Sequence, residues 1–324
     1  MEDHKLSRNK VWILDGVDLD HSKEIEIYKE NNIDYLLSNE ETLEEDLERF
    51  GKDADVIVVE AGIKIDETLL DKLSACKGIV AFGTGFDHID VQAAKERNIQ
   101  VGHLNYCSEE VSDHTLSLIL TLLRRLSHYN KDLKSGIFNP MLEKPIHRFS
   151  AVTVGILGFG RIAQNVAKRL KPFGFNIIVH DEYVDESVFE ELGVTKVSLE
   201  QLLTQSNLIT LHVPLTNETR NLLNEENMRK LPKDAIIVNT CRGEIIDEDA
   251  LVRLIKEGHI SAAGLDVFHT EPPNTDSELF KLDEIIVSPH AAYYSIESVE
   301  EMQTQAAESA IRMIEGKKPL FPVN

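Results

Sequence analysis

VTVGILGFGRIA, residues 152–163, decides the fold of this chain. The apolar run predicts a buried strand, the glycines predict a tight turn, and the residues that follow predict the start of a helix. A side chain at Gly158 would clash within that turn, and Gly160 lets backbone N–H groups approach an anion. Ala163 replaces a third glycine and is still small enough for close packing of helix on strand. The stretch therefore has the pattern of a dinucleotide-binding turn.

Asp181 completes this pattern, because it ends the next predicted strand, residues 176–180. Its carboxylate can accept hydrogen bonds from an adenosine ribose and would repel a 2′-phosphate, so the sequence favours NAD over NADP. Glycine-rich turns are common, and a strand, turn and helix without a ligand is the alternative interpretation.

Composition sets broad limits on function. A chain of 324 residues with 42% hydrophobic and 28% charged residues is typical of a soluble protein of two domains. The net charge of −22 argues against nucleic-acid or anionic-membrane partners. The N-terminal MEDHKLSRNK has no apolar region, so we expect no signal peptide, and no apolar run is long enough to cross a bilayer. Three widely spaced cysteines favour the cytoplasm, and the twelve histidines do not cluster with acids as metal ligands do.

The first hundred residues alternate short apolar runs with amphipathic runs, which predicts a parallel sheet covered on both faces. Strands are predicted at 11–15, 33–37, 55–60, 79–82 and 100–103, and helices at 22–31, 42–50, 66–74 and 90–97. The loop GTGFDHID, residues 83–90, follows a strand, and its glycines expose N–H groups that suit a carboxylate. A plain loop leading into the next helix, with Asp87 or Asp90 near the cap, is the alternative.

A long helix is predicted from Ser108 to about Ser135, joining two domains and offering a subunit contact. The alternation then resumes, with Ser198, Asn224 and Asp247 as N-caps and Gly258 as a helix stop. Strands are predicted at 152–157, 176–180, 194–197, 208–213, 235–239, 261–265 and 285–288. Helices are predicted at 160–171, 185–192, 198–206, 224–230 and 247–257. A last helix, residues 295–315, is expected to pack on the first domain.

Three segments after predicted strands carry groups suited to ketone reduction: residues 239–243, 264–273 and 288–294. Arg242 offers a planar fork that matches a carboxylate. His290 can give a proton to a carbonyl oxygen, and Glu271 beside it would favour the charged imidazole and hold its orientation. Taken singly, each residue could be a surface or turn residue, but together they indicate hydride transfer. Cys241 could be an oxidant-sensitive thiol with a lowered pKa or a quiet buried one.

These segments resemble the D-isomer-specific 2-hydroxyacid dehydrogenase family over nearly the whole chain. The carrying motifs are GTGFDHID, VGILGFGRIA with Asp181, LHVPLTNETRNLL, NTCRGEIIDEDAL, AAGLDVFHTEPP and SPHAAYYS. The resemblance implies that Arg242 binds substrate and that Glu271 and His290 form the acid–base pair. It implies a substrate site that includes Thr84, Gly85, Arg242 and Tyr293. It implies an NAD site lined by Thr84, Thr115, Gly158, Gly160, Arg161, Ile162, Asp181, Val213, Pro214, Thr240, Cys241 and Asp266, with Asp266 on the nicotinamide carboxamide.

The pattern and the resemblance together predict an α/β protein of two doubly wound parallel-sheet domains. A Rossmann NAD-binding domain, residues 108–293 with the long helix 108–135, is inserted in a flavodoxin-like substrate domain, residues 1–107 and 294–324. The resemblance also implies a homodimer formed through the cofactor domains. We expect an NAD-dependent dehydrogenase or reductase of small, unphosphorylated 2-hydroxy or 2-keto acids.

Two branches of the family offer alternatives. FGFNIIVHD and PHAAYYS are similar to the C-terminal-binding-protein branch, whose usual tryptophan is Tyr293 here, and this branch allows an NAD(H)-responsive binding module. GLDVFHTEPP resembles phosphoglycerate dehydrogenases, which usually carry an arginine where Glu60 falls. An acid at Glu60 would repel a phosphorylated substrate, and the chain ends at Asn324 without room for the regulatory domain of longer members.

Overall fold

The computed structural model describes residues 8–142 and 144–324, so most of the N-terminal segment behind the signal-peptide expectation lies outside the described residues. Contacts between Cα atoms divide the chain into two compact units. The first unit contains the described residues of Met1–Cys107 together with Ser295–Asn324, and the second contains the described residues of Ser108–Tyr294.

The first part of the first unit alternates strands and helices, as predicted. Its elements are β1 (Lys10–Leu14), α1 (Ser22–Glu30), β2 (Asp34–Ser38), α2 (Leu43–Arg49), β3 (Val56–Val59), α3 (Glu67–Leu70), β4 (Gly78–Ala81), α4 (Val91–Glu96) and β5 (Gln100–His103). The helix predicted at 66–74 is wrong in length, because only α3 is helical and the chain then leaves the helix in turns.

The second unit begins with two helices and continues as strand–helix alternation. Its elements are α5 (Ser108–Leu123), α6 (Leu126–Lys134), β6 (Thr153–Leu157), α7 (Arg161–Leu170), β7 (Asn176–His180), α8 (Glu186–Leu192), β8 (Thr195–Lys196), α9 (Leu199–Gln205), β9 (Leu208–Leu211), α10 (Glu225–Lys230), β10 (Ala235–Asn239), α11 (Glu248–Lys256), β11 (Ile260–Leu265) and β12 (Ile285–Val287). Ser198, Asn224 and Asp247 each accept a backbone N–H bond as N-caps, which confirms those predictions.

The chain then returns to the first unit through α12 (Ile296–Ile314) and β13 (Phe321–Pro322). The inner face of α12 is built from small and flexible residues, including Met302, Ala306 and Ala310, and packs against α1, β3 and β4. This confirms the expected return of the last helix. The short strand β13 pairs antiparallel with β5 and was not predicted.

The single long helix predicted from Ser108 to Ser135 is wrong, because the chain breaks between α5 and α6. Arg125 takes a left-handed conformation at the break, with φ of 54°. The reason is burial: α5 packs Leu118 and Leu122 on the sheet, whereas no residue of α6 is buried. Nothing beneath α6 holds it in line with α5, so the chain turns where the core contacts end.

The two sheets explain how ligand-facing loops are positioned. In the first unit the strand order is β13-β5-β4-β3-β1-β2. The order in which the chain adds strands to the sheet reverses between β1 and β3, which are themselves parallel. In the second unit the order is β12-β11-β10-β9-β6-β7-β8, all parallel, and it reverses between β6 and β9. These are the flavodoxin-like and Rossmann arrangements, and both predictions are confirmed. Ligands of such sheets bind beyond the carboxyl ends of the strands at the reversal.

A buried ionic cluster follows β1 in the first unit. The His21 ring places Nδ1 at 2.9 Å from a Glu24 oxygen and Nε2 at 3.2 Å from an Asp15 oxygen. The Tyr28 hydroxyl donates a hydrogen bond to Glu24, and the His21 ring lies against Phe82. Burial alone would lower the pKa of His21, but the two carboxylates outweigh it and raise that pKa to about 9.

We predict that the first unit loses stability as pH rises through about 9. A raised histidine pKa contributes stability that is fully present below the ordinary value of 6.5 and is lost above the folded value. The free energy of unfolding should fall by roughly 2–3 kcal/mol between about pH 7 and pH 10. Trp12, the only tryptophan, is buried in this unit, so its fluorescence in urea titrations reports the change.

His21→Gln should flatten that pH dependence, whereas the control His147→Gln, at an exposed position, should keep it. An equal slope in His21→Gln and in the unchanged protein would mean that another group is responsible.

Within residues 8–142 and 144–324, no helix combines the length and the apolar character needed to span a bilayer.

Candidate active site

The turn after β6 has the geometry that the fingerprint requires. Gly158 has φ of +85°, and a Cβ there would lie 2.5 Å from the carbonyl oxygen of His212 and 2.7 Å from Val213. Glycine is therefore needed both for the backbone conformation and for the approach of the loop after β9. That loop contains Val213, which is half-buried, and Pro214, which is exposed. The two predicted cofactor segments thus meet at Gly158.

The start of α7 fits an anionic group. Gly160 is its N-cap and makes no side-chain cap bond, and a Cβ at Gly160 would meet no atom within 4 Å. The helix begins with the exposed Arg161 and the half-buried Ile162, and its first turn has no acid. The open N–H groups and the helix dipole therefore suit a pyrophosphate.

Asp181 is fixed by three backbone N–H groups. Its Oδ2 accepts from Phe159 at 2.7 Å, and its Oδ1 accepts from Tyr183 at 2.7 Å and Val184 at 2.9 Å. The first bond joins the carboxylate directly to the glycine turn. A carboxylate has about four acceptor positions, so one remains for a ribose hydroxyl. The residues present around this turn fit a nicotinamide dinucleotide.

Other predicted cofactor residues lie deeper. Thr115 on α5 is fully buried and bonds through its hydroxyl to Val111 and to Thr240, which follows β10. Cys241 places Sγ at 3.0 Å from Oδ1 of Asn239. Burial raises the pKa of the Cys241 thiol, whereas the neighbouring backbone bonds and the Arg242 charge lower it. The effect of burial is the larger, so the pKa is raised to about 11. Cys241 is therefore a protonated thiol at neutral pH, and the idea of a lowered pKa is wrong.

Arg242 is held by its own turn. Asn239, which is buried, donates from its side-chain amide to the backbone oxygen of Arg242 at 2.8 Å and accepts from the Cys241 N–H. The next residue, Gly243, packs so closely that a Cβ would lie 1.9 Å from the Phe268 carbonyl carbon. This contact joins the segment with Arg242 to the segment with Glu271.

Glu271 and His290 form a direct pair. Nδ1 of His290 lies 2.6 Å from Oε2 of Glu271, and Oε1 of Glu271 accepts from the Phe268 N–H. Burial raises the Glu271 pKa. The opposing effects are larger: the bond and charge of His290, the bond from the Phe268 N–H and the charge of Arg242. The pKa of Glu271 therefore lies below its ordinary value of 4.5. The three predicted catalytic residues therefore act on one another within the second unit.

Asp266 and Tyr293 belong to the same unit. Asp266 is fully buried and accepts bonds from Ser288, Ala291 and Ala292 around His290. It presents no surface in this structure, and its contact with a carboxamide stays a prediction. Tyr293 is half-buried, with its ring edge-on to Tyr294.

Thr84 and Gly85 lie in the first unit, on the loop after β4. Thr84 is exposed, with its hydroxyl 3.6 Å from the Cys107 sulfur. Asp90 caps α4 by accepting from Ala93, so one part of the plain-loop alternative is confirmed. The carboxylate-binding role of Thr84 and Gly85 stays a prediction.

Sequence reasoning missed the residues that hold the reacting groups in place. Asn239 and Gly243 flank Arg242 and were visible only as parts of a motif. His114 on α5 places its Nε2 2.8 Å from the Ser288 hydroxyl. Within the described residues, no group of three His, Cys, Asp or Glu side chains could hold a metal ion.

The fold and the site together define a class. The second unit has a Rossmann sheet with a glycine turn and an acid after the next strand. It also has an arginine beside a histidine–carboxylate pair. Together these features are typical of a nicotinamide-dependent oxidoreductase. Comparison with known proteins makes the class specific. Residues 116–292, more than half of the chain, match the NAD binding domain of the D-isomer specific 2-hydroxyacid dehydrogenases.

Relatives match most of the length of the chain. It is 36% identical to a glyoxylate reductase from Korarchaeum cryptofilum, covering 84% of this chain and 83% of the relative. It is 38% identical to a D-3-phosphoglycerate dehydrogenase from Methanocaldococcus jannaschii over 95% of this chain, which spans only 58% of that protein. The crystal structure of D-lactate dehydrogenase from Aquifex aeolicus with NAD and lactic acid matches with TM-score 0.85 and 30% identity, covering 95% of this chain and 96% of that one. The chain belongs to the D-isomer-specific 2-hydroxyacid dehydrogenase family.

Proposed function

We propose that this protein reduces small, unphosphorylated 2-keto acids to D-2-hydroxy acids with NADH. The observation that carries the proposal is the His290–Glu271 pair at 2.6 Å, beside Arg242, in the NAD-binding unit. We also propose that the second unit is the cofactor domain and that the first unit is the substrate domain, in which Thr84 and Gly85 bind the substrate carboxylate.

Each residue of the proposed site has a separate role in the reduction. Bound NADH supplies a hydride to the keto carbon. Nδ1 of His290 is engaged by Glu271, so Nε2 is the ring nitrogen that gives its proton to the keto oxygen. Glu271 stabilises the charged ring before that transfer, and the Arg242 fork binds the substrate carboxylate and polarises its keto group.

Glu60 supports the unphosphorylated class of substrate. It follows β3 directly, and its N–H bonds to the Leu14 oxygen at the end of β1. It therefore lies at the reversal of the first sheet, the place where ligands of such sheets bind. Its carboxylate also accepts from Gly62 at 2.8 Å. A negative charge fixed there opposes a phosphate on the substrate.

The test is an assay of NADH oxidation with glyoxylate, hydroxypyruvate, pyruvate and longer 2-keto acids, each compared with NADPH. We expect turnover of at least one small acid and preference for NADH, because Asp181 opposes a 2′-phosphate. No NADH oxidation above background with any acid would contradict the proposal.

Phosphoglycerate dehydrogenase is the second candidate, favoured by the 38% identity to the archaeal enzyme. Turnover of 3-phosphohydroxypyruvate above that of the small acids would support it, and Glu60 opposes it. A binding module would not need the Arg242, Glu271 and His290 set; NADH-dependent peptide binding without turnover would favour that alternative.

We propose a cytoplasmic homodimer, formed through an apolar surface on the second unit. This arm surface consists of exposed side chains on α6 and the segment after it: Leu126, Leu133, Ile137, Phe138 and Met141. Phe138 and Met141 are 89% and 78% exposed, and the Tyr129 hydroxyl ties their segment back to α6 through the Pro140 oxygen. Several large apolar side chains exposed within one short stretch of chain are typical of an interface. The three free cysteines fit a reducing compartment.

Phe138→Glu combined with Met141→Glu should convert a dimer to a monomer in sedimentation equilibrium, because both charges would be buried at the contact. The matched control is Ile296→Glu, which places a charge at an equally exposed position on α12 and should leave the dimer intact. A dimer that persists in the double variant would place the interface elsewhere.

A further inference from the structure

A fully buried carboxylate organises the loop that carries His290. Oδ1 of Asp266 accepts from the Ser288 hydroxyl at 2.5 Å and from the Ala291 N–H at 2.9 Å. Its Oδ2 accepts from the Ala292 N–H at 2.9 Å, and its backbone oxygen accepts from the His290 N–H at 2.7 Å. One residue thus binds the loop at four points on both sides of the proposed acid.

The loop needs this support because His290 has φ of 51°, in the left-handed region. Residues with a Cβ adopt that region rarely, and they keep it where surrounding bonds impose it. The direction of the His290 ring follows from this backbone conformation. A loosened loop would therefore misdirect Nε2 even if the bond to Glu271 could still form.

His114 extends this network to α5. Its Nε2 lies 2.8 Å from the Ser288 oxygen and 3.7 Å from Oδ1 of Asp266. Serine has one hydroxyl proton, and here it faces the carboxylate, so His114 donates to serine. The three residue types match a hydrolytic triad, but the serine proton points to the acid instead of the histidine, which excludes activation of Ser288 as a nucleophile.

We propose that His114 and Ser288 are positioning residues, which fix Asp266 and through it hold His290 in its left-handed conformation. This inference rests on the proposed function of His290 as the proton donor. It assigns Asp266 to the acid–base loop, since its carboxylate is buried and engaged with that loop.

The first test is hydrogen exchange of the protein without cofactor, followed by mass spectrometry of the peptide that contains residues 288–292. Ser288→Ala and His114→Leu should raise exchange of the loop amides about tenfold, the effect of losing a hydrogen bond to a charged group. Ser288→Thr and His114→Gln keep a hydroxyl and a donor nitrogen and should exchange like the unchanged protein. Ser117→Ala, which loses a surface bond to Asp113 on the same helix, is the matched control.

The second test is steady-state kinetics of the same set. Ser288→Ala and His114→Leu should lower kcat about tenfold while the KM for NADH changes less than about twofold, and the conservative variants should restore kcat. Unchanged exchange in both deletion variants, or raised exchange with unchanged kcat, overturns the inference.

If Ser288→Ala or His114→Leu fails to fold, the conservative variants decide the matter. Normal exchange and normal kcat in Ser288→Thr and His114→Gln support the network, and altered values in both refute it. Absence of turnover in the unchanged protein would defeat the proposed function alone, because the exchange experiment needs no substrate.

Discussion

Arg242→Ala should abolish saturation by the 2-keto acid while leaving the affinity for NADH nearly unchanged. In the proposed function the guanidinium binds the substrate carboxylate. Asn239 and Gly243 fix the backbone at Arg242, and the guanidinium donates to the Cys241 backbone oxygen at 2.9 Å. Losing a two-point charged contact should reduce kcat/KM by about 10²–10³. Initial rates over a range of keto acid concentrations, with NADH affinity from its fluorescence, give both quantities.

Arg242→Lys should recover only a small part of that loss, because an ammonium keeps the charge but not the planar fork. Arg220→Ala is the matched control, since Arg220 makes a partly exposed ion pair with Glu244. An equal loss of NADH affinity in Arg242→Ala would show that Arg242 supports the cofactor or the fold, and its assignment to substrate would be wrong.

Glu271→Gln should lower kcat by about 10²-fold, the usual contribution of a general acid–base group. The amide can still accept a bond from Nδ1 of His290, so the variant removes the charge and keeps the shape. His290→Gln should cost more than Glu271→Gln, because it removes the proton donor itself. Rates of NADH oxidation under saturating substrate provide the comparison, with Glu278→Gln as a surface control.

The pH dependence separates the two roles. The Glu271 pKa lies below its ordinary value of 4.5, so the carboxylate is charged across the neutral range and loses its effect only at more acidic pH. In Glu271→Gln nothing titrates at this position, so the part of the acidic fall in rate that comes from protonation of Glu271 should be absent. Identical profiles for the two proteins would exclude an electrostatic role for Glu271.

Local sequence patterns were sufficient to predict the main strands and helices of the fold. The fingerprint around Gly158 placed β6, α7 and Asp181, because each part of that motif has a backbone requirement that few residues meet. The caps at Ser198 and Asn224 were readable for the same reason. Features fixed by neighbours in the chain are visible in the sequence.

Structural features that depend on residues far apart in the chain could not be predicted from the sequence. The break at Arg125 depends on where the sheet beneath α5 ends. The need for Gly243 depends on the Phe268 backbone, and the link from His114 to Ser288 joins residues 174 positions apart. The three proposed catalytic residues could be predicted as residue types that follow strands, but the groups that orient them could be identified only from the fold.

We propose that Arg242, Glu271 and His290 together direct a hydride from NADH to the keto carbon of a 2-keto acid. The most direct measurement uses NADH deuterated at the transferring position with the best acid of the substrate panel other than glyoxylate, whose product has no D or L form. Chiral and isotopic analysis of the product follows. We expect a D-2-hydroxy acid that carries deuterium at C2. A product without the label, an L product, or no product from any acid would contradict it.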